Sequence, residues 1–489
     1  MAINLIDLLA NKMISKSIQL LDLTSIESIE MDSRLVRSNT LFVAIKGVHS
    51  NGHDFIEKAI EKGAVAIVCE ELPESINPNV SYIQVENSAK ILGQLANTFF
   101  EYPSQKMTVV GVTGTNGKTT TASLLFNLYT SLGFKCGLLS TIEVKIGDKI
   151  LPSTHTTPDA ISIQSFMREM VNNGCTYCFM EVSSHAIDQY RIEGIEFDGA
   201  IFTNITHDHL DYHKTFSHYL DTKKRFFDDL KATAIAITNI DDKNGNFMLQ
   251  NTGAKKVSYA LKSMGDYRCS ILDTFTEGMS LKIEGKEIYT QLSGEFNAYN
   301  ILAVYAMASE LGMDKEILDI AISKLKPIQG RFQTVISHLK RIVGIVDYAH
   351  TPDALEKLLF EAKRLKKENH LITVVGCGGN RDKEKRPKMA QIACEYSDKV
   401  LLTSDNPRNE NPVDIIKDMK EGLDGTMLKS TLTIVDRQEA IRTACMLSET
   451  GDIIVIAGKG HETYQEIQGI KYDFDDRKVL ELIFNELGL

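Results

Sequence analysis

The 489-residue sequence predicts an α/β protein of three domains with mainly parallel sheets, and three observations carry that prediction. The length exceeds what one hydrophobic core serves when a typical domain is ~150 residues. Short runs rich in β-branched residues alternate with helical patterns along the chain, as in parallel sheets wound with helices. Polar, glycine-rich or charged stretches directly follow the carboxyl ends of those runs, where open α/β sheets bind ligands.

The first segment, 1–103, opens on "MAINLIDLLANKMISKS", which is helix-like and polar-interrupted. It lacks the ordered basic lead, apolar stretch and cleavage site of a secretory signal. "LFVAI" (41–45) and "AVAIVC" (64–69) are its strands, and "EYPSQ" (101–105) reads as a linker. The second segment, 104–332, has strands at 107–112, 178–183, 199–203 and 234–238. The first three are followed by "TGTNGKTT", "SSHAIDQYR" and "NITHDHLDYH". "PIQGRF" (327–332) is the second linker. The third segment, 333–489, places "DYAHTPD", "GCGGNRD", "SDNPRNENP" and "GKGHE" after strands at 342–347, 371–375, 399–403 and 453–457. Two sheets therefore each present a ligand-binding edge. There is no fixed-period repeat and no low-complexity segment.

A hydrophobic content of 43% and a charged content of 24% are those of a soluble globular protein. No apolar run approaches the ~18 residues of a membrane span, and a cytoplasmic location is expected. A net charge of −11 argues against a broad nucleic-acid-binding surface. The eight cysteines are scattered, most of them in apolar runs, and read as buried thiols. Cys175 and Cys178 form a C-x-x-C without a second pair or a histidine at zinc-finger spacing.

In "GVTGTNGKTTT" (111–121) the glycines stand at 111, 114 and 117. The first glycine of an ordinary G-x-x-x-x-G-K-[ST] loop would fall at Val112, so this is a phosphate loop in a different register. Backbone N–H groups of Gly114, Thr115, Asn116 and Gly117 can approach phosphate oxygens, with Lys118 between β- and γ-phosphates and Thr119 available to Mg²⁺. "THDHLDYH" gathers His207, Asp208, His209, Asp211 and His213, near Glu181 at the end of another strand. The spacing alone leaves open a zinc pair, solvated histidines, or Mg²⁺ held by Glu181 and one histidine. Asp405, Asn406, Pro407 and Arg408 form a turn that is either solvated or, with Arg381 and Glu462 on neighbouring strand ends, a pocket for a zwitterion.

Taken in order, "GVTGTNGKTT", "EVSSHAIDQYR", "HDHLDYH", "NIDD", "GEFNAYN" and "DYAHTPDAL" resemble the Mur ligases, ATP-dependent amide ligases of peptidoglycan assembly. The resemblance covers essentially the whole chain. It implies an N-terminal UDP-substrate-binding α/β domain (1–103), a central P-loop ATPase-type domain with a mostly parallel sheet (104–332) and a C-terminal Rossmann-like amino-acid-binding domain (333–489). "MDSRLVRSNTLFVAIKG" looks like the uridine-nucleotide domain of the members that add the third peptide residue, and "DNPR" like the signature of those taking meso-diaminopimelate rather than L-lysine. The physical reason is that Arg408 can pair bidentately with the second carboxylate, which lysine lacks.

The resemblance further implies ATP and Mg²⁺ as cofactors, with UDP-muramoyl-dipeptide and meso-diaminopimelate as the other small-molecule substrates. No nucleic-acid partner and no membrane span are expected, and a monomer is. Lys118, Glu181, His209 and Lys223 would be catalytic; Thr119, Glu181, His209 and Lys223 would serve the metals, Lys223 as a carbamate. Asn297, Arg331, Asp347 and His350 fall on the nucleotide side. Ser33, Thr156, Thr157, Ser183, Gln189 and Arg191 match positions holding the UDP-muramoyl-dipeptide. Arg381, Asp405 to Arg408, Gly458 and Glu462 match the diaminopimelate site. Asn411 and Gln333 depart from acidic residues common in the family, and only modest effects are expected. Alternatives are the same ligase using L-lysine, a folate or cyanophycin-type ligase, a metallohydrolase, or a nucleotide-dependent binding protein without ligase activity.

Overall fold

The computed structural model describes residues 2–489 other than 11, 13–15, 19, 22–23, 48–49 and 154. Among the described residues the strands form three main sheets of five, eleven and six strands. All ten strand-like runs of the sequence are strands here, with ends shifted by at most two residues, as where "LFVAI" becomes Thr40–Val43. Of the helix-like N-terminus, Leu5–Leu9 is helical, and part of the rest lies outside the described residues.

The N-terminal sheet runs, edge to edge, Lys16–Ile18, Ser81–Gln84, Ala64–Cys69, Thr40–Val43 and Ser28–Glu30. Its last four strands are parallel. Helix Ser88–Phe99 leads to the central domain through left-handed Glu101 and Tyr102 and a short 3-10 turn, Pro103–Lys106.

In the central sheet the parallel strands run Cys136–Leu139, Tyr177–Glu181, Thr108–Thr113, Gly199–Phe202, Ile235–Asn239, Lys255–Ala260 and Tyr267–Phe275, with antiparallel hairpins beyond each end. Thr108–Thr113 is buried on both faces, which is why its interior, Val109 to Val112, is apolar rather than alternating. Val110 and Val112 face the core shared with helices Lys118–Ser131 and Glu295–Glu310, whereas Val109 faces the core built with Ala160–Asn172 and Phe216–Asp228. Gly111 is a packing glycine, because a Cβ there would stand 2.6 Å from the Phe226 ring. The odd glycine register thus resolves into one glycine for the helix behind the strand and two for the loop in front.

The C-terminal sheet is ordered Gln333–Ile336, Val343–Asp347, Ile453–Ala457, Leu371–Val375, Lys399–Leu402 and Thr431–Thr433, parallel except for its first strand. Helices cover both faces in a doubly wound, Rossmann-like arrangement. A hairpin of Tyr464–Ile467 and Ile470–Asp473 stands off this sheet.

Candidate active site

The phosphate loop follows strand Thr108–Thr113 between two parallel neighbours, in the crevice where such folds bind ligands. Gly114 (φ 152) and Gly117 (φ 88) adopt conformations that favour glycine, and both are enclosed: a Cβ at 114 would meet Thr203 Oγ1 at 1.9 Å, one at 117 Asn300 Oδ1 at 2.6 Å. Asn204 clasps the loop by accepting from Thr115 N at 2.8 Å and, through Oδ1, from Asn116 N at 3.1 Å. Asn297 acts one step back, accepting from Asn300 Nδ2 at 3.2 Å. Lys118 Nζ folds over the loop onto the carbonyls of Gly114 and Thr115 at 2.9 and 2.8 Å, and its pKa is lowered by burial.

Lys223 and Lys224 have separate surroundings. Lys223 is 1% exposed, its Nζ donating to the Gly114 carbonyl at 3.0 Å, and burial together with the Lys118 charge pushes its pKa well below the ordinary lysine value. Lys224 instead pairs with Asp228 at 2.6 Å.

Glu181 ends strand Tyr177–Glu181 fully buried. Oε1 accepts from Thr141 N at 2.6 Å, and Oε2 has no hydrogen-bond partner among the described residues. A buried carboxylate oxygen left unpaired is costly, so this environment fits a cation. His209, in left-handed backbone (φ 55), is held neutral, its pKa lowered to about 4 chiefly by desolvation. No group of three or more His, Cys, Asp or Glu among the described residues is placed to hold a metal alone. Glu181, His209 and Thr119 are residues here whose side chains could serve as donors to a cation such as Mg²⁺.

The expected dipeptide residues of the central domain form one network. Thr157 Oγ1 donates to the Glu181 carbonyl at 2.9 Å and accepts from Ser183 N at 3.1 Å. Arg191 donates to the Thr157 carbonyl at 3.0 Å and to Gln189 Oε1 at 2.6 Å, and Thr156 accepts from Thr141 Oγ1 at 3.0 Å. Ser33, 7% exposed, lies on the N-terminal domain in the loop after Ser28–Glu30, and among the described residues no hydrogen bond joins its side chain to this network. Ala160 and Ile161 nevertheless pack into the N-terminal core, so the two domains meet on this side.

At the third cluster Asn406, 2% exposed, donates through Nδ2 to Glu462 Oε2 at 2.7 Å and accepts through Oδ1 from Lys459 Nζ at 3.1 Å. Gly458 (φ 116) brings the backbone against Asp405, whose Oδ2 would lie 2.5 Å from a Cβ there. Arg408 donates to the Gly379 carbonyl at 2.8 Å and flanks Gly378 with the exposed Arg381. Pro407 closes the turn by accepting from Glu410 N at 3.0 Å.

Two bridges reach the central edge, one from the C-terminal domain and one from the linker before it. Asn116 Nδ2 and Thr206 Oγ1 donate to Asp353 Oδ2 at 2.7 and 3.0 Å, and Arg331 Nη2 donates to Thr119 Oγ1 at 3.1 Å. Asp347 anchors the second linker by accepting from Phe332 N at 2.6 Å, and His350 sits beyond it, its carbonyl accepting from Lys385 Nζ at 2.9 Å. Asn411 caps helix Pro412–Lys420 through Val413 N at 3.0 Å, and Gln333 Oε1 accepts from Gly330 N at 2.9 Å, so both departures from acidic residues do local structural work.

Sequence reasoning missed Asn204, Asp353, Lys459 and the hairpin after Glu462. Asn204, Asp353 and Lys459 lie inside quoted stretches, but nothing in their spacing separates them from their neighbours.

The fold and the cleft together define a three-domain α/β phosphate-loop enzyme. Family models match in chain order, the Mur ligase family catalytic domain at 25–100, the Mur ligase middle domain at 112–308 and the Mur ligase glutamate ligase domain at 330–460. The chain belongs to the Mur ligase family. It is 53% identical over 464 residues, 95% of each chain, to the UDP-N-acetylmuramoyl-L-alanyl-D-glutamate–2,6-diaminopimelate ligase of Cytophaga hutchinsonii. It is 41% identical to the ligase of that name from Geobacillus kaustophilus, over 95% of this chain and 96% of the other. A solved ligase of the same name superposes over 100% of both chains with a TM-score of 0.71 and 31% identity. A MurF ligase of Thermotoga maritima in complex with ADP shares the fold, at a TM-score of 0.61 and 22% identity over 94% of this chain and 98% of that one.

Proposed function

We propose that this protein joins meso-diaminopimelate to UDP-N-acetylmuramoyl-L-alanyl-D-glutamate with cleavage of ATP to ADP and phosphate. The observation that carries the reading is the pairing across the cleft: the phosphate loop, bridged to Asp353 and Arg331, opposes a pocket containing both a guanidinium and carboxylates. The relatives named for this reaction, at 51–53% identity, support it.

A carboxylate does not accept amines at useful rates, so the γ-phosphoryl group is first transferred to the D-glutamate γ-carboxylate, giving an acyl phosphate and ADP. The diaminopimelate amine adds to the acyl carbon, and the tetrahedral intermediate collapses with loss of phosphate. Lys118 and the N–H groups that open helix Lys118–Ser131 would orient and neutralise the phosphates, those of Thr115 and Asn116 being taken by Asn204 instead of facing phosphate as the sequence suggests. Thr119, Glu181 and His209 would hold Mg²⁺, which supplies Lewis-acid stabilisation of charge on the transferred group. Lys223, whose ammonium form is disfavoured by burial, would be carbamylated and present an oxyanion where an ammonium would repel the metals. The Thr156–Thr157–Ser183–Gln189–Arg191 network, with Ser33 across the domain boundary, would hold the UDP-dipeptide. Arg381, Arg408, Asp405, Gly458 and Glu462 would hold the amino acid, carboxylates on guanidinium and ammonium on carboxylate. On this reading the domains divide at 1–103, 104–332 and 333–489, and the enzyme is a cytoplasmic monomer. Among the described residues no helix is long and apolar enough to cross a membrane.

Phosphate release against an amino-acid panel tests the reading. It should require ATP, the UDP-dipeptide and meso-diaminopimelate together. Lysine supporting release equally well would overturn the specificity, and turnover with zinc but without ATP would replace the ligase by a hydrolase.

A further inference from the structure

The hairpin of Tyr464–Ile467 and Ile470–Asp473 has no role in the chemistry above, yet it is hydrogen-bonded to Asp405, Asn406 and Arg408 of the pocket turn. Gln465 Nε2 donates to the Asp405 carbonyl at 2.7 Å, and Glu466 N to Asn406 Oδ1 at 2.8 Å. Arg408 N donates to the Glu466 carbonyl at 3.0 Å, and Gln468 N to the Arg408 carbonyl at 2.7 Å. The result is a parallel bridge between Arg408 and Ile467, with Arg408 in left-handed backbone at φ 50. A non-glycine residue keeps that conformation only when its surroundings impose it, and here the hairpin backbone does so.

The side chains continue the arrangement. Glu466 Oε2 lies 3.4 Å from Arg408 Nε, and Nη1 donates to the Gly379 carbonyl. The guanidinium is thereby fixed from two sides, while Nη2 has no protein partner among the described residues. The two side chains are 22% and 26% exposed, so the pair lies at the pocket wall rather than free in solvent.

From this geometry we infer that Glu466 is a specificity-determining positioning residue: it sets the orientation of Arg408 and leaves Nη2 of the guanidinium free for the distal carboxylate of the incoming diamino acid. The inference rests on the diaminopimelate reading above. Removing the Glu466 charge frees the guanidinium to rotate without removing it, so affinity for the amino acid falls while the nucleotide edge is unaffected.

The test is steady-state kinetics of Glu466→Gln and Glu466→Asp in the full-length enzyme, with melting temperature and calorimetric titration of meso-diaminopimelate alongside. Glu466→Gln should raise KM for meso-diaminopimelate about tenfold, the scale of a lost charge-assisted contact, with KM for ATP and the UDP-dipeptide unchanged and the preference over lysine reduced. Glu466→Asp, which keeps the charge, should recover part of the loss. An unchanged KM in a folded Glu466→Gln variant overturns the inference alone, and so does an equal rise in KM for ATP, which would make the hairpin merely structural. A wild-type enzyme that does not prefer meso-diaminopimelate overturns the reading beneath it as well.

Discussion

Lys223 and Lys224 are indistinguishable by type and neighbours in sequence, and helix phase separates them. One step of about 100° along Phe216–Asp228 puts Lys223 under the phosphate loop and Lys224 beside Asp228. Because the folded pKa of Lys223 is depressed, its neutral amine, the form that adds CO₂, is populated at lower pH than for an ordinary lysine. Carbamylation should therefore persist to lower pH than at an exposed lysine and fall away as pH drops further and the amine is protonated. Enzyme held at acidic pH, then returned to pH 8 in CO₂-free buffer, is expected to show reduced phosphate release that bicarbonate restores. Lys223→Ala should lose about two orders of magnitude in rate, with no response to bicarbonate. Indifference of the wild type to bicarbonate would remove the carbamate from the mechanism. At this scale the sequence made the residue types legible and their surroundings illegible: nothing in "GKGHE" shows that its lysine is fully buried against Asn406 and Glu462.

Strands buried on both faces were legible because their apolar runs have only one stable use. The strands where a sheet turns antiparallel were not: Tyr267–Phe275, parallel to one neighbour and antiparallel to the other, carries too many exposed positions to stand out, and the antiparallel edge Gln333–Ile336 is half-exposed throughout. The histidine-rich stretch was legible as a cluster but not as an element. It folds into the short helix Leu210–His213, whose last residue is 2% exposed, with Nε2 at 2.9 Å from Ser184 Oγ. Burial, reinforced by His185, depresses the His213 pKa to about 4. The unfolded chain takes up this proton near pH 6.5 and the folded chain only near 4, so the neutral ring's contribution is complete above pH 6.5 and is lost as pH falls towards 4. The loss is on the order of 3 kcal/mol at its limit. Melting temperatures of wild type and His213→Gln between pH 7 and 4.5 should converge, the variant starting lower and falling less steeply. Parallel slopes would assign the acid sensitivity to other groups.

At the scale of the whole molecule, the three domains and the two sheet edges were legible because each follows from runs within one stretch of chain. How the edges meet was not, since it depends on the docking of two bodies, and Asp353 shows this most clearly. It lies in the first turn of helix Pro352–Leu365 in the C-terminal domain, yet Oδ2 accepts from Asn116 and Thr206 across the cleft as well as from Lys357 on its own helix. Interdomain contacts of this polar kind leave relative motion as the default, so a single carboxylate with two partners across the gap weighs heavily in the balance between open and closed arrangements. Asp353→Ala should shift that balance towards open on the order of tenfold, about the equivalent of one charge-assisted hydrogen bond. Small-angle scattering of the nucleotide-free variant should give a larger radius of gyration than wild type. Saturating ATP and UDP-dipeptide should narrow the difference, because ligands spanning the cleft restore the lost contact. Identical scattering in the absence of ligands would mean that closure is held elsewhere, with Arg331 and Thr119 the remaining bridge across the same edge.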